Sequence, residues 1–238
     1  FGDTGSAVSI TNLVSNTGVV ANDQAATTGT AREGTAGASY GEDKGIFSFG
    51  STSVTNLVSN VGVVASDVTQ VGTGRDDLAA CEYGGDKGIF GFGGGASNTN
   101  KVSNTGVVAT DTASGGGVTA RNVPAACSFG YDKGIFGYGH SVSTTNLVSN
   151  TGVVSTDVTG VGTGRGWLGA CEYGGDKGIF GFGSGPYPSN LTNLVSNTGV
   201  VATDTTGVGT ARQGPAACTY GYDKGIFSFT IAGTMTNL

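Results

Sequence analysis

Four cysteines occupy one position of a sequence unit that occurs five times, and they are the residues best suited to redox or metal chemistry: Cys81, Cys127, Cys171 and Cys218. A zinc site would need further ligands, but the chain has no Cys-x-x-Cys pair and a single histidine. If the five units surround one axis, equivalent strands lie on the order of 9 Å apart, beyond the ~7 Å limit of Cα separation for a disulfide. We therefore predict buried free thiols, with no metal ion and no cofactor.

Basic residues recur at two positions of the unit, and these positions account for ten of the eleven lysines and arginines. The arginines are Arg32, Arg75, Arg121, Arg165 and Arg212, and an aspartate precedes each recurring lysine. One interpretation is a ring of arginines at a channel mouth that binds an anion or a sugar. The other is pairing of these cations with recurring aspartates to hold loops in place. We favour the second, because every unit has the same loops to hold.

Catalytic chemistry has little support in the sequence. With His140 as the single histidine, no catalytic triad can recur in the units, and no G-x-S-x-G nucleophile motif is present. Paired carboxylates for glycoside hydrolysis stay open as an alternative, because any two units could bring acids together. The sequence therefore predicts no catalytic residues and a protein that is not an enzyme.

Differences between the units are the better guide to a binding site. The linker after the Lys-Gly-Ile-Phe segment varies most, and it contains His140 in one unit and Tyr187 in another. The single tryptophan, Trp167, lies in the variable segment after a recurring arginine. Exposed aromatic side chains are enriched at binding sites, so Trp167 and Tyr187 are candidates for contact with a sugar or a protein partner. The alternative for Trp167 is partial burial as a cap on its unit.

The repeated unit contains Thr-Asn-Leu-Val-Ser-Asn-Thr-Gly-Val-Val-Ala, a variable stretch, an arginine, small residues and then Asp-Lys-Gly-Ile-Phe. Its period of about 45 residues is typical of a β-propeller blade. Each unit divides into four short extended segments without a helical pattern; in the fifth unit these are 192–197, 199–204, 211–218 and 224–229. The segment of Ala, Gly and Cys is small enough for the crowded position next to the axis.

Two runs of residues carry a resemblance to a known family. The run Arg212-Gln-Gly-Pro-Ala-Ala-Cys and the later Lys224-Gly-Ile-Phe-Ser-Phe resemble the first two strands of a kelch repeat, and GIFGFGG at 88–94 is similar to that family's glycine-ended strand. The tryptophan of the fourth kelch strand is missing from every unit, and the double glycine is present in one. The resemblance implies a kelch-like propeller. The units also resemble repeat segments of phage and environmental viral proteins.

We expect one all-β domain over residues 1–238, a five-bladed β-propeller with four antiparallel strands in each blade. The units run approximately over residues 6–50, 51–93, 94–139, 140–183 and 184–230, and residues 231–238 begin a sixth copy. The N-terminal and C-terminal strands are expected to share one blade, which closes the ring and removes exposed sheet edges. Thr-Asn-Leu occurs both at 11–13 and at 236–238, so one copy should pair in that blade and the other should be displaced.

Charge and hydropathy narrow the possible partners. A net charge of −6 without a cluster of cations argues against nucleic acid, and no apolar run is long enough for membrane insertion. The first remaining function is a structural or interaction module that binds a protein partner, a rigid scaffold displayed on a virion, fibre or cell surface or within a larger assembly. This function favours an extracellular or virion-associated location. The alternative is a lectin with several glycan sites.

Overall fold

A computed structural model of the chain describes residues 2–3, 5–24, 29–69, 72–140, 142–207, 209–230 and 233–237. In these residues the secondary structure consists of strands, turns and irregular segments, as the sequence predicts. Within this described part of the chain, no helix is long and apolar enough to cross a membrane. The protein is therefore all-β, and its strands pair in antiparallel sheets.

The strands form one two-stranded sheet and five larger sheets. The small sheet pairs β1 (Gly2–Asp3) with β2 (Ala7–Val8). The first three larger sheets contain β3 (Thr35–Tyr40), β4 (Lys44–Phe49), β5 (Val54–Val58) and β6 (Val68–Thr69); β7 (Ala79–Tyr83), β8 (Lys87–Gly91) and β9 (Thr99–Val102); and β10 (Ala125–Phe129), β11 (Lys133–Gly137) and β12 (Thr145–Val148). The fourth and fifth contain β13 (Gly169–Tyr173), β14 (Lys177–Gly181), β15 (Leu191–Val195) and β16 (Thr205–Thr206); and β17 (Ala216–Tyr220), β18 (Lys224–Thr230) and β19 (Gly233–Asn237).

The third sheet is buried on both faces because it packs against the second and fourth sheets, whereas β17 of the fifth sheet is mostly exposed. In the third sheet, Ile135 and Phe136 point to opposite faces, as adjacent strand residues must, and both are 0% exposed. Ile135 clusters with Phe180 of the fourth sheet. Phe136 packs on Phe92 of the second sheet, with ring centres 5.2 Å apart in an edge-to-face contact. Two adjacent apolar residues thus join one sheet to both neighbours.

The first strands of the five sheets face one cavity of about 430 Å³. The lining comes from β3, β7, β10, β13 and β17, and most of it is Ala, Gly, Ser, Thr and Cys. Strands can converge this closely only where their side chains are small. The prediction that the small-residue segment lies next to the axis is confirmed, and the repeated sheets fit a β-propeller of several blades.

The outermost segments differ from the sequence expectation of four full strands in each sheet. The fourth strands β6 and β16 are two residues long, and among the described residues of the second and third sheets isolated bridges stand in their place. Residues 199–204 form one arm of a tight hairpin, with a bridge between Val195 and Val201, rather than a strand. Val200 on this arm is 66% exposed. Burial of its side chains therefore stabilises this arm little, which explains why it pairs with the third strand over so few residues.

The fifth sheet uses Thr236 and Asn237 of the C-terminal Thr-Asn-Leu copy, whose last residue lies outside the described residues. Its middle strand β18 pairs with β19, and Phe227 lies opposite Asn237. The N-terminal copy lies in a separate hairpin, which is closed by the bridges Thr11–Gln24 and Val14–Val20. One copy is therefore displaced, and it is the N-terminal one. The three strands of the fifth sheet all come from residues 216–237, so the expected blade shared by both termini is not formed among the described residues.

A glycine substitution tests the contact between neighbouring sheets. A Cβ atom at Gly137 would lie 2.7 Å from the ring of Phe180, which is fully buried and has no room to withdraw. We therefore expect Gly137→Ala to lower the free energy of unfolding by about 2 kcal/mol, as overpacking does. Urea denaturation measures the change. Gly115→Ala is the matched control, because no atom lies within 4 Å of a Cβ there; equal stability of the two variants would contradict this packing.

Candidate functional site

The five recurring arginines lie inside the sheets, with exposed fractions between 1% and 5%. Arg165 illustrates their contacts. Its Nε donates a hydrogen bond to the carbonyl of Phe182 over 2.7 Å, and its Nη2 donates to the side-chain oxygen of Asn193 over 2.7 Å. Its Nη1 donates to the carbonyl of Thr163 over 3.0 Å. One side chain thus ties the segment before the first strand to the second and third strands.

Four arginines also stack on an aromatic ring of the preceding sheet. The distances from guanidinium carbon to ring centre are 4.3 Å for Arg75 on Phe49, 3.8 Å for Arg121 on Phe92, 4.8 Å for Arg165 on Tyr138 and 3.7 Å for Arg212 on Phe182. Such contacts strengthen when the cation is desolvated. Because the guanidinium groups are covered, their placement favours the structural interpretation over a ring that binds an anion or a sugar.

The pKa shifts of Arg121 and of the neighbouring Asp157 leave both groups ionised. Burial lowers the pKa of Arg121 to about 10, and the nearby charge of Asp157 opposes this shift. Burial also acts to raise the pKa of Asp157, but hydrogen bonds from Thr119 and Asn146 outweigh it, so this pKa lies below its usual value. Both groups remain charged at neutral pH, which suits a permanent structural contact.

The recurring lysines lie at the surface beside the aspartates that precede them. Lys44 approaches Asp43 within 3.0 Å, and Lys133 approaches Asp132 within 2.8 Å. Both lysine side chains are more than 40% exposed, so water screens these pairs and their effect on stability is small. The buried arginines therefore hold the sheets together more strongly than the surface lysines do.

The cysteines are free thiols, as predicted, and Cys81, Cys127 and Cys171 are buried. The prediction of a buried thiol is wrong for Cys218, which is exposed because it lies on β17, whose residues are mostly exposed. Desolvation raises the pKa of Cys81 and of Cys171 to about 12. Because the thiolate is the reactive form, these two groups are poor nucleophiles at neutral pH. Among the residues that the structure describes, no cluster of three or more His, Cys, Asp and Glu side chains could hold a metal ion.

Five residues with positive φ angles lie just before the first strands of the five sheets and line one cavity. Asp77, Val123 and Trp167 have φ angles of 55°, 50° and 51°, in the left-handed region that residues other than glycine seldom adopt. Their equivalents in the first and fifth sheets, Gly34 and Gly214, also have positive φ. Backbone N–H groups link four of them in order: Gly214 donates to Trp167, Trp167 to Val123, and Val123 to Asp77. We call these five residues the axial ring.

The axial ring lines a cavity of about 220 Å³, together with apolar side chains such as Leu78 and Leu168. Trp167 is 40% exposed there, and the ring of His140 lies edge-on to it at 6.5 Å between centres. Burial, followed by the charge of Asp76, raises the pKa of Asp77 in the same cavity.

The third aromatic candidate, Tyr187, lies in the turn between the bridged residues 184 and 188 and is 80% exposed. The structure therefore brings His140 and Trp167 together and places Tyr187 in a turn.

Sequence reasoning found Trp167 but missed the axial ring. The members of this ring share no residue type, since they comprise two glycines, an aspartate, a valine and the tryptophan. Their common property is a position two residues after the recurring arginine, and that alignment is the one signal that could have identified them.

Comparison with known proteins adds no further constraint on the site. No protein-family model and no curated protein matches this chain. The resemblance to kelch repeats stays a prediction.

Removal of one buried arginine should destabilise the protein strongly. Arg165→Ala leaves Asn193 and three carbonyl groups without their donor, and we expect a loss of about 3 kcal/mol in the free energy of unfolding. Arg165→Lys should recover little of it, because an ammonium group cannot make the same fork of hydrogen bonds. Thermal denaturation gives the comparison with Lys133→Ala, the exposed control. A shared Tm for both alanine variants would show that the arginine does not hold the sheets.

Proposed function

We propose that this chain is a five-bladed β-propeller of kelch-like type, closed by its terminal strands, that acts as a non-catalytic scaffold for a protein partner. Five repeated sheets whose first strands line one cavity support the propeller. The scaffold role is supported by the recurring arginines of the first four sheets, whose Nη2 atoms are engaged in contacts within the protein. Display on a virion, fibre or cell surface is part of the proposal and rests on the resemblance to phage and environmental viral repeats.

The observation that carries the proposal is the strained axial ring. Strained backbone persists only where the surrounding structure holds it, and it clusters at functional sites. The ring combines a half-exposed aromatic, Trp167, with apolar Val123 and acidic Asp77 at one cavity. A rigid aromatic beside a polar group is typical of an interface hot spot. The matching segment of the partner would insert an apolar side chain into the cavity and direct a basic group to Asp77.

Glycan binding is the second candidate, and the exposed face of Trp167 beside His140 favours it, because a flat aromatic ring can pack against a sugar. The multivalent form has less support. It would need an exposed aromatic in each blade, whereas the recurring Phe90, Phe136 and Phe180 are 0% exposed and Phe227 is 6% exposed. A sugar would therefore bind at one site in the axial cavity.

A glycan array separates the two candidates. The intact, monodisperse protein is screened beside a heat-unfolded control. Reproducible binding of the folded protein to one class of sugar would favour the lectin. A blank array would favour the protein partner.

A peptide-display selection tests the axial site directly. Peptides that bind the intact protein are selected, and their affinities are compared for Trp167→Ala and for Tyr187→Ala. We expect enriched peptides with apolar and basic residues that lose at least tenfold in affinity, about 1.4 kcal/mol, with Trp167→Ala. The Tyr187→Ala variant should bind as the unaltered protein does. The reverse pattern would move the site to the 184–189 turn.

A further inference from the structure

The fifth sheet lacks a contact that the other four share. In those sheets, Nη2 of the buried arginine donates to an asparagine of the third strand over 2.6 to 2.7 Å. Arg212 of the fifth sheet is 3% exposed, yet its Nε and Nη1 have no hydrogen-bond partner among the described residues. Its Nη2 lies 3.5 Å from the carbonyl of Phe227. Buried donors of this kind are costly, so the site calls for an acceptor.

A matching acceptor is already formed in the hairpin of residues 11–24, here called the N-terminal hairpin. Asn12 donates through Nδ2 to the carbonyl of Ala21 over 3.1 Å and to Asp23 over 2.8 Å. Asn146 of the third sheet makes the same two contacts, at 3.1 and 2.9 Å, while its oxygen accepts from Arg121. The N-terminal hairpin therefore has every part of this arrangement except the arginine.

The apolar side chains of the N-terminal hairpin are also unlike their equivalents elsewhere. Val14 is 65% exposed, and its equivalents in the second, third and fourth sheets are all 0% exposed: Val102, Val148 and Val195. Val20 is 63% exposed, whereas the equivalent Val64 is 7% exposed. Burial of two valine side chains stabilises a protein, so the hairpin has a strong tendency to dock.

A cleft of about 460 Å³ between the fourth and fifth sheets has the shape to receive it. Its lining includes Tyr173 and Phe227. At the preceding junction, between the third and fourth sheets, a hairpin covers the equivalent place: a Cβ atom at Gly199 would lie 2.9 Å from the ring of Phe129. In the N-terminal hairpin the equivalent Gly18 has no neighbour within 4 Å. The cleft therefore corresponds to a position that a hairpin occupies in the neighbouring sheets.

The length of the connection allows the same chain to supply the hairpin. Asp23 precedes Arg32 by nine residues, and the corresponding aspartate and arginine of the other repeats are eight to ten residues apart. The hairpin already lies against the first sheet, because a Cβ atom at Gly62 would be 2.5 Å from the side chain of Leu13. A second molecule is not needed to reach the cleft.

We propose that the N-terminal hairpin docks in this cleft and pairs with β18 in place of β19. Asn12 then accepts from Arg212, and Asp23 accepts from the backbone N–H of Thr210, as Asp157 does from Thr119 in the third sheet. Burial of Val14 and Val20 and satisfaction of Arg212 favour the exchange. The inference rests on the ring proposed above and names the segment that completes it. The released β19 becomes an unpaired strand.

A competition between two disulfides tests the exchange. A variant with Thr11→Cys, Ser228→Cys, Thr236→Cys and Cys218→Ala gives the thiol at position 228 two possible partners. Ser228 lies opposite Thr236 in the β18–β19 pairing. In the first sheet, the hydroxyls of Ser48 and Thr55, which correspond to positions 228 and 11, are 3.0 Å apart, so this pair is also close enough for a bond. After oxidation, mass mapping of peptides identifies the linkage.

We expect the major product to link position 228 to position 11 within one chain. A major link between 228 and 236 would overturn the proposal. A link between 228 and 11 that forms only in covalent dimers would overturn it as well, since a second chain would then supply the hairpin. Neither result involves a partner or a sugar, so failure here is distinguishable from failure of the proposed function.

An alanine pair provides an independent test without new cysteines. Asn146→Ala removes the acceptor of Arg121, and Asn12→Ala removes the acceptor proposed for Arg212. If the hairpin docks, both variants should lower the Tm by a similar amount. An unchanged Tm for Asn12→Ala, beside a clear loss for Asn146→Ala, would show that the hairpin stays undocked.

Discussion

The buried arginine of each repeat is the interaction on which the arrangement of sheets depends. A guanidinium group that is 1% to 5% exposed is costly unless its donors are engaged. Arg165 meets this condition through Phe182 and Asn193, and it stacks on Tyr138 of the preceding sheet at the same time. These contacts cross from strand to strand and from sheet to sheet. The position of one sheet is thus tied to that of its neighbour.

Side-chain volume is the second constraint on how neighbouring sheets pack. Gly91 and Gly137 lie under the rings of Phe136 and Phe180 from the next sheet, at distances that leave no space for a Cβ atom. Near the axis the first strands converge, and their small side chains leave a cavity of about 430 Å³. A glycine of one sheet therefore packs against a large ring of the next, and this contact repeats from sheet to sheet. The described residues contain no helix.

The structural roles of the recurring residues limit the positions at which a binding site can arise. The recurring residues are committed to folding, so variation is left to positions that the sheets do not need, such as the axial ring with Asp77, Val123 and Trp167. The fifth sheet is subject to the same demand for a partner of its arginine. In this sheet β18 pairs with Thr236 and Asn237, and Nε and Nη1 of Arg212 have no hydrogen-bond partner among the described residues.

The sequence by itself determined the all-β class, the order of the extended segments, the small-residue strand at the axis and the free thiols, because strand preference, turn residues and residue volume act locally. It also singled out Trp167. Only the tertiary structure decided that the arginines are buried, since Arg165 meets Asn193 from a distant part of the chain. The left-handed backbone of the axial ring is likewise set by hydrogen bonds between sheets. Thr-Asn-Leu has the same local preferences at both ends of the chain, so packing against the fourth and fifth sheets, and no property of the sequence itself, selects which copy pairs with β18.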